Sequence, residues 1–209
     1  RRFLSDHPPY MGTMYAAAHD LAEVLDSQIR PQQFRPFIPY TLLCGASNMT
    51  LDLPSANTVI GAPLWQFSPN ETDTQHFRFE DAGNGLFYIR TFAGLYVTVD
   101  APSGIPTGPG ATLTIKQDRK YEPGSSGPHH PDLQRWKFTS SGVTTIHPDI
   151  YTISCVAVPG KVLQPEQGSV ASGASVVLGA PAVSHTPTVI PNPWAVTSPL
   201  LPSGGLLHT

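Results

Sequence analysis

The chain has 209 residues, a formal net charge of −3 and only 13% charged residues. Its 23 prolines and 18 glycines are typical of a turn-rich structure and exclude a helical bundle. A hydrophobic content of 40% excludes a disordered chain. Without a basic excess we expect no nucleic-acid partner, and no apolar run is long enough for a membrane span.

The first 35 residues differ in pattern from the rest and form a separate segment. Residues 1–12 are expected to be an extended arm, and residues 13–30 an amphipathic α-helix with Thr13 as N-cap and Pro31 after its end. The helical spacing belongs to Met14, Ala18, Leu21, Leu25 and Ile29. Such an apolar stripe packs either on the protein's own barrel or on a partner protein.

Three short segments repeat an amide followed, two residues later, by an aromatic. They are residues 75–77 (Gln-His-Phe), 134–136 (Gln-Arg-Trp) and 192–194 (Asn-Pro-Trp). The aromatics Phe77, Trp136 and Trp194 lie 59 and 58 residues apart. An aromatic at a constant period indicates an internally repeated fold, and we predict that all three rings fill its core.

Further signals recur in the same order ahead of each triplet. Residues 40–44 (Tyr-Thr-Leu-Leu-Cys) closely match 151–155 (Tyr-Thr-Ile-Ser-Cys), and 87–91 lie between them. A second β-type run and a third, introduced by Gly61, Gly110 or Gly173, follow each copy. The prediction is an all-β fold over residues 36–199, with three four-strand repeats (about 36–86, 87–150 and 151–199) forming a barrel closed by hairpins. Residues 200–209 form a C-terminal tail.

The two cysteines, Cys44 and Cys155, fall at equivalent positions of the first and third repeats. Threefold-related strands are not direct neighbours in such a barrel, so a disulfide between them needs an unusually close approach. We therefore expect buried free thiols.

The triplets and the opening strands together resemble the ricin B-type β-trefoil family. The Gln-x-Trp signature of that family is intact at 134–136 and altered at 75–77 and 192–194. Residues 87–90 with 94–97 look like the family's strand-turn-strand opening. The resemblance covers about 36–199 and implies a β-trefoil, a fold used by sugar-binding lectins, by protease inhibitors and by lectin-like subunits of larger complexes.

The resemblance also implies where a sugar would bind. A family site uses an acidic residue on the second strand, an aromatic platform after the third and the amide of the triplet. In the first repeat these are Asp52, then Phe67 with Trp65 two residues before it, and Gln75. Carboxylate and amide groups bind hydroxyls, and an aromatic ring stacks on the apolar face of a sugar. Because Trp65 and Phe67 alternate with Gln66, we expect at least one of the two rings to lie in the core.

The other two repeats lack this combination. Thr98 takes the acidic position and Lys116 the platform position in the second repeat, with Asp100 nearby. Gln164 and Gly179 take these positions in the third. The sequence therefore predicts one sugar site, in the first repeat.

Two Asn-x-Thr sequons, at Asn48 and Asn70, fall on the loops that would frame this site. With the low charge and high proline content, they favour an extracellular or secretory protein over a cytoplasmic one. A glycan on either asparagine would crowd the predicted pocket.

No catalytic or cofactor motif is recognisable, so the chain is predicted to be a non-enzymatic binding protein without a cofactor. The residues most like metal ligands are His129, His130 and Asp132, which we interpret as a solvated loop. The leading hypothesis is a lectin that binds carbohydrate or a glycoprotein. The alternative is an interaction subunit or a protease inhibitor that acts through its loops or the N-terminal helix.

Overall fold

The computed structural model describes residues 34–35, 37–105, 112–140, 150–181 and 194–197. The predicted helix at 13–30 and the tail at 200–209 lie outside these ranges and stay predictions. No helix in the described ranges is both long and apolar enough to cross a bilayer.

The described residues form twelve β-strands and five short 3-10 helices. The strands are β1 (Thr41–Cys44), β2 (Met49–Asp52), β3 (Trp65–Phe67), β4 (Phe77–Gly83), β5 (Leu86–Thr91), β6 (Tyr96–Val99), β7 (Leu113–Asp118), β8 (Trp136–Ser140), β9 (Ile150–Cys155), β10 (Val162–Pro165), β11 (Val176–Gly179) and β12 (Trp194–Thr197). The 3-10 helices are Pro54–Ala56, Asp73–Gln75, Gly127–His129, Pro131–Gln134 and Glu166–Gly168.

The first and fourth strands of the repeats form a closed barrel. Among the described strands, antiparallel pairs run from β1 through β12, β9, β8 and β5 to β4. The ring closes where Tyr40, next to β1, pairs with Phe77 of β4 through N–H to O=C hydrogen bonds of 2.7 and 2.8 Å. Closure removes the free edges that an open sheet would expose.

The second and third strands of each repeat form hairpins that cap this barrel. These hairpins are β2–β3, β6–β7 and β10–β11. Their third strands meet one another, since β7 pairs with β11, Pro63 bridges to Lys116, and Trp65 bridges to Ser175. The repeats therefore contact each other in the cap as well as in the barrel.

The triplet aromatics fill the core, as predicted. The side chains of Phe77, Trp136 and Trp194 are completely buried. The indole N–H of Trp136 donates to the carbonyl of Val97 at 3.0 Å, and that of Trp194 donates to the carbonyl of Leu163 at 2.8 Å. Each tryptophan thus ties the fourth strand of its repeat to the second.

The cysteines are free and buried, as expected. The Cys155 thiol donates to the carbonyl of Asp132 at 3.1 Å, and burial raises its pKa to about 12. It therefore remains protonated and unreactive at neutral pH.

Candidate functional site

The β2–β3 hairpin brings the predicted site residues of the first repeat onto one face. Asp52 lies directly opposite Trp65, and Thr50 lies opposite Phe67. Residues that face each other across antiparallel strands point to the same side of the sheet, as do alternate residues along a strand. Asp52, Trp65 and Phe67 therefore share a face.

Gln75 joins this group through its side-chain amide. It ends the 3-10 helix Asp73–Gln75, and its Nε2 donates to Asp52 Oδ2 at 3.2 Å and to the Ser68 carbonyl at 2.9 Å. Its Oε1 accepts from the backbone N–H of Asn70 at 3.0 Å. Gln75 is 1% exposed and Asp52 is 4% exposed, so both are held in fixed positions below the surface.

The two aromatic rings lie beside this polar pair. Trp65 and Phe67 stack with centroids 5.3 Å apart and ring planes 19° from parallel. Both are half-buried, so the expectation that one ring lies in the core is wrong. Gln66 between them is the residue that turns inward and is completely buried. Its amide is accommodated there because the backbone of a neighbouring repeat accepts its hydrogen bonds.

Two polar atoms of the site have no hydrogen-bond partner within the described ranges. They are Asp52 Oδ1 and Trp65 Nε1, and both are shielded from solvent. Leaving a buried donor or acceptor unpaired costs about 1–3 kcal/mol, more for a charged group. One is an acceptor and the other a donor on facing residues, which is a pair that a ligand hydroxyl can satisfy.

The sequon asparagines lie on exposed turns near this group. Asn48 ends a turn with a positive φ of 54°, and Asn70 Oδ1 accepts hydrogen bonds from the Thr72 backbone at 3.1 Å and the Thr72 hydroxyl at 2.7 Å. Since the Asn70 backbone also binds Gln75, a glycan on Asn70 would sit on the loop that positions the Gln75 amide.

In the second repeat the strand registers correct the sequence alignment. Thr98 faces Lys116 and Tyr96 faces Asp118, so Lys116 matches Trp65 and Asp118 matches Phe67. Sequence spacing alone aligns Lys116 with Phe67. This alignment is wrong by two residues because the loops between the second and third strands differ in length.

Gln134 repeats the role of Gln75 in this second repeat. Its Nε2 donates to Thr98 Oγ1 at 2.9 Å and to the Arg119 carbonyl at 2.7 Å, and its Oε1 accepts from the Tyr121 backbone at 2.8 Å. In the first two repeats the triplet amide therefore has the same supporting role, and the residue that it contacts, Asp52 or Thr98, determines whether the site has a carboxylate.

The charged groups at the site positions of the second repeat are paired with one another. Lys116 Nζ lies 2.9 Å from Asp100 Oδ1 and 3.6 Å from Asp118 Oδ2. The Tyr121 hydroxyl donates to Asp118 Oδ2 at 2.8 Å, and burial together with this bond raises the Tyr121 pKa. An internal ion network thus occupies the positions that carry aromatic rings in the first repeat.

The third repeat offers neither a carboxylate nor a ring at these positions. Gln164 faces Val177, and Gly179 follows two residues later. Within the described ranges, only the first repeat combines a buried carboxylate, a triplet amide and paired aromatic rings.

The sequence reading missed the role of two buried glutamines, Gln66 and Gln117. Gln66 Nε2 donates to the carbonyls of Ser169 and Ala171 at 2.8 and 2.9 Å. Gln117 Nε2 donates to those of Asn57 and Val59 at 2.6 and 3.1 Å. Each ties a third strand to a loop of another repeat. The sequence offered a signal only for Gln66, an amide between two aromatic residues, because Gln117 lies between the charged residues Lys116 and Asp118.

The histidine pair serves the loop it belongs to. His130 Nδ1 accepts from the Asp132 backbone at 3.2 Å, and the His129 ring meets the Tyr121 ring edge-on with centroids 5.1 Å apart. No group of three or more metal-ligating side chains occurs in the described part of the chain.

No protein-family model and no curated protein matches the sequence, but solved structures resemble the fold. A designed threefold-symmetric protein, ThreeFoil, has a TM-score of 0.58 at 22% identity, with 76% of this chain and 96% of that chain covered. A ricin B-like lectin from Macrolepiota procera, solved with lactose, has a TM-score of 0.56 at 12% identity, with 80% and 100% covered.

The fold also occurs inside longer proteins. An exo-β-1,3-galactanase from Clostridium thermocellum has a TM-score of 0.59 at 17% identity, and the match covers 80% of this chain but only 31% of the enzyme. At these identities the likeness concerns the fold. The chain has the β-trefoil fold, which confirms the fold that the resemblance to ricin B-type proteins implies.

Proposed function

We propose that this protein binds carbohydrate, without catalysis, through the first repeat of its trefoil. Asp52 binds a sugar hydroxyl, Gln75 holds the Asp52 carboxylate in position, and the Trp65–Phe67 pair stacks against the apolar face of the sugar ring. The lectin found among the similar structures supports a sugar as the class of ligand.

The observation that carries the proposal is the state of Asp52. Gln75 holds one oxygen of its carboxylate, the other oxygen has no partner, and the indole N–H of the facing residue Trp65 has none either within the described ranges. Because Asp52 Oδ1 is shielded, a sugar reaches it when the half-buried Trp65 ring or the loop before Gln75 shifts outward. Binding therefore requires this outward shift, after which one hydroxyl bridges the carboxylate and the indole.

A glycan array followed by titration of the best ligand tests the proposal. Asp52→Asn keeps the shape of the side chain and removes its charge, and loss of one charged hydrogen bond, about 1.5–3 kcal/mol, should weaken binding at least tenfold. Trp65→Phe keeps a ring and removes the N–H, so it should weaken binding less.

Thr98→Val is the matched control because Thr98 holds the same position in the second repeat. It should leave the affinity unchanged. The first-repeat site would be rejected if the native protein bound none of the glycans. It would also be rejected if Asp52→Asn and Thr98→Val lost equal affinity.

A second candidate function is an interaction module in a larger assembly or an inhibitor that acts through its loops. It is favoured by aliphatic side chains at the loop tips of the cap, where Val59, Ile60 and Val170 are 66%, 55% and 63% exposed. Exposed aliphatic tips suit contact with another protein. Native mass measurement of the protein from its source would detect a stable partner, and a lone monomer would reject a stable assembly.

From the two sequons we also propose that the protein passes through a secretory pathway and carries glycans at Asn48 and Asn70. Both side chains lie at exposed positions that a transferase can reach. Peptide mass analysis of the protein made in a eukaryotic secretory host would show the added mass at each asparagine, and unmodified asparagines would reject this extension.

A further inference from the structure

A second candidate site lies on the barrel, in a cleft beside the β4–β5 hairpin. The cleft has a volume of about 290 Å³. It is lined by Pro39, Asp73, His76, Arg78, Arg90, Thr91, Phe92 and Gly94. This volume is at the lower end of the range for small-ligand pockets, about 300–1,000 Å³, and suits a single sugar unit.

Two arginines face each other across this hairpin. Arg78 of β4 is the direct cross-strand partner of Arg90 of β5, and both line the cleft. Like charges directly opposite on antiparallel strands repel each other. Such a pair is stabilised when an anion lies between the two guanidinium groups, because each can donate two parallel hydrogen bonds to an oxyanion.

The carboxylates nearby only partly neutralise these charges. Arg90 Nη1 lies 3.4 Å from Glu80 Oε1. Glu80 also accepts from the Tyr96 hydroxyl at 3.0 Å and lies 3.7 Å from Lys120 Nζ, so it is shared by three groups. Arg78 is exposed and forms no ion pair with any residue that the structure describes.

The rest of the lining adds one more polar group and an apolar surface. His76 is a further donor, with Nδ1 3.7 Å from Asp73 Oδ1. Asp73 itself is 86% exposed, so water screens its charge. Phe92, 42% exposed, and Pro39 give the cleft an apolar wall.

Arg90 is held in its place by a glycine. A Cβ on Gly94 would lie 3.3 Å from Arg90 Nη2, and Arg90 Nε reaches the Gly94 carbonyl at 3.4 Å. Gly94 has a φ of +82°, which favours glycine, so the close approach and the turn depend on the same residue.

We propose that this cleft binds an acidic saccharide through the carboxylate or sulfate group of one sugar unit. Arg78 and Arg90 hold the oxyanion between them, His76 donates from the side, and Phe92 packs against the sugar ring. The acidic group is recognised by the arginines and the saccharide by the exposed aromatic ring beside them. This inference does not rest on the first-repeat site, which uses other residues.

The test is titration of the full chain with matched monosaccharides, followed by NMR or calorimetry. The probes are galacturonate, galactose 6-sulfate, galactose and inorganic sulfate. We expect the two acidic sugars to bind and galactose not to bind in this cleft. Comparing the two acidic sugars distinguishes carboxylate from sulfate as the preferred group.

Arg78→Ala should weaken binding of the acidic sugars about tenfold or more, while Arg78→Lys, which keeps the charge without the fork, should lose less. Phe92→Ala should weaken the acidic sugars and leave inorganic sulfate unchanged. Lys137→Ala, which removes an exposed cation of β8 outside the cleft lining, is the matched control. Asp52→Asn should also leave this binding intact.

Three results would overturn the proposal. They are absence of acidic-sugar binding, equal losses in Arg78→Ala and Lys137→Ala, and sulfate binding as tightly as the sugars with no effect of Phe92→Ala. Because Arg78 is exposed, its replacement leaves the core intact, and a thermal melt of each variant verifies this.

Discussion

At the scale of single residues, one position of the repeat shows how chemistry varies on a constant scaffold. Phe77, Trp136 and Trp194 all fill the core, yet only the two tryptophans donate a hydrogen bond to the second strand of their repeat. Their burial was predictable because repeats of a fold contribute equivalent residues to a shared core, and a large aromatic residue that recurs at a constant period is such a residue. The orientation of Trp65 was not, because strand alternation states which residues share a face but not which face is buried.

Trp136→Phe tests what the indole contributes. A phenyl ring fits at this position of the fold, as Phe77 shows, but it leaves the Val97 carbonyl without the indole donor and a small cavity beside it. We expect a loss of about 1–3 kcal/mol in the free energy of unfolding, against about 3–5 kcal/mol for Trp136→Ala. Urea denaturation measures both. Equal losses in the two variants would mean that the ring itself contributes little.

At the scale of elements, the order of the four strands was predictable and the pairing between them was not. The recurring signals placed each strand in its repeat because they kept their sequence order. Loops of different length hid the register, and register decides that Lys116 corresponds to Trp65 and that Arg78 faces Arg90. The cleft was therefore invisible in the sequence, where its two arginines are separated by a hairpin.

Gln117→Leu tests the ties between elements. The third repeat carries Leu178 at the position of Gln117, so a leucine is compatible with the strand. The substitution leaves the carbonyls of Asn57 and Val59 without the amide donor. We expect a loss of about 1–3 kcal/mol in the free energy of unfolding.

Hydrogen exchange locates this effect. Amides of residues 57–61 should exchange faster in Gln117→Leu, while those near Ser169, which depend on Gln66, should not change. Uniform acceleration across both loops would contradict a local tie.

At the scale of the whole molecule, the neighbouring strands of the barrel differ in how many residues they pair. The described backbone pairs join β4 to β5 over most of their length, whereas Tyr40, next to β1, joins β4 through one backbone pair with Phe77 and a ring stack on Phe79. The first and last strands of the first repeat are thus joined by fewer described backbone pairs than the other neighbouring strands of the barrel.

We expect the Tyr40–Phe77 pair to open before the rest of the barrel. In native-state hydrogen exchange, the Tyr40 and Phe77 amides should have lower opening free energies than the amides of the β8–β9 ladder, where five residue pairs are formed. Identical opening free energies in both places would show instead that the barrel opens only by global unfolding.

The buried glutamines connect the repeats in one rotational order around the barrel. The Gln66 amide donates to carbonyls of the third repeat, and the Gln117 amide donates to carbonyls of the first. Leu178, at the same position of the third repeat, has no side-chain donor for the corresponding hydrogen bond to the second repeat. A single-repeat peptide built on residues 41–83 would carry both a Gln66 donor and the Asn57 and Val59 acceptors. The donor of one copy could bond only to the acceptors of the next copy around a threefold axis. Such a peptide should therefore be an obligate homotrimer in which all three inter-repeat glutamine bonds are formed.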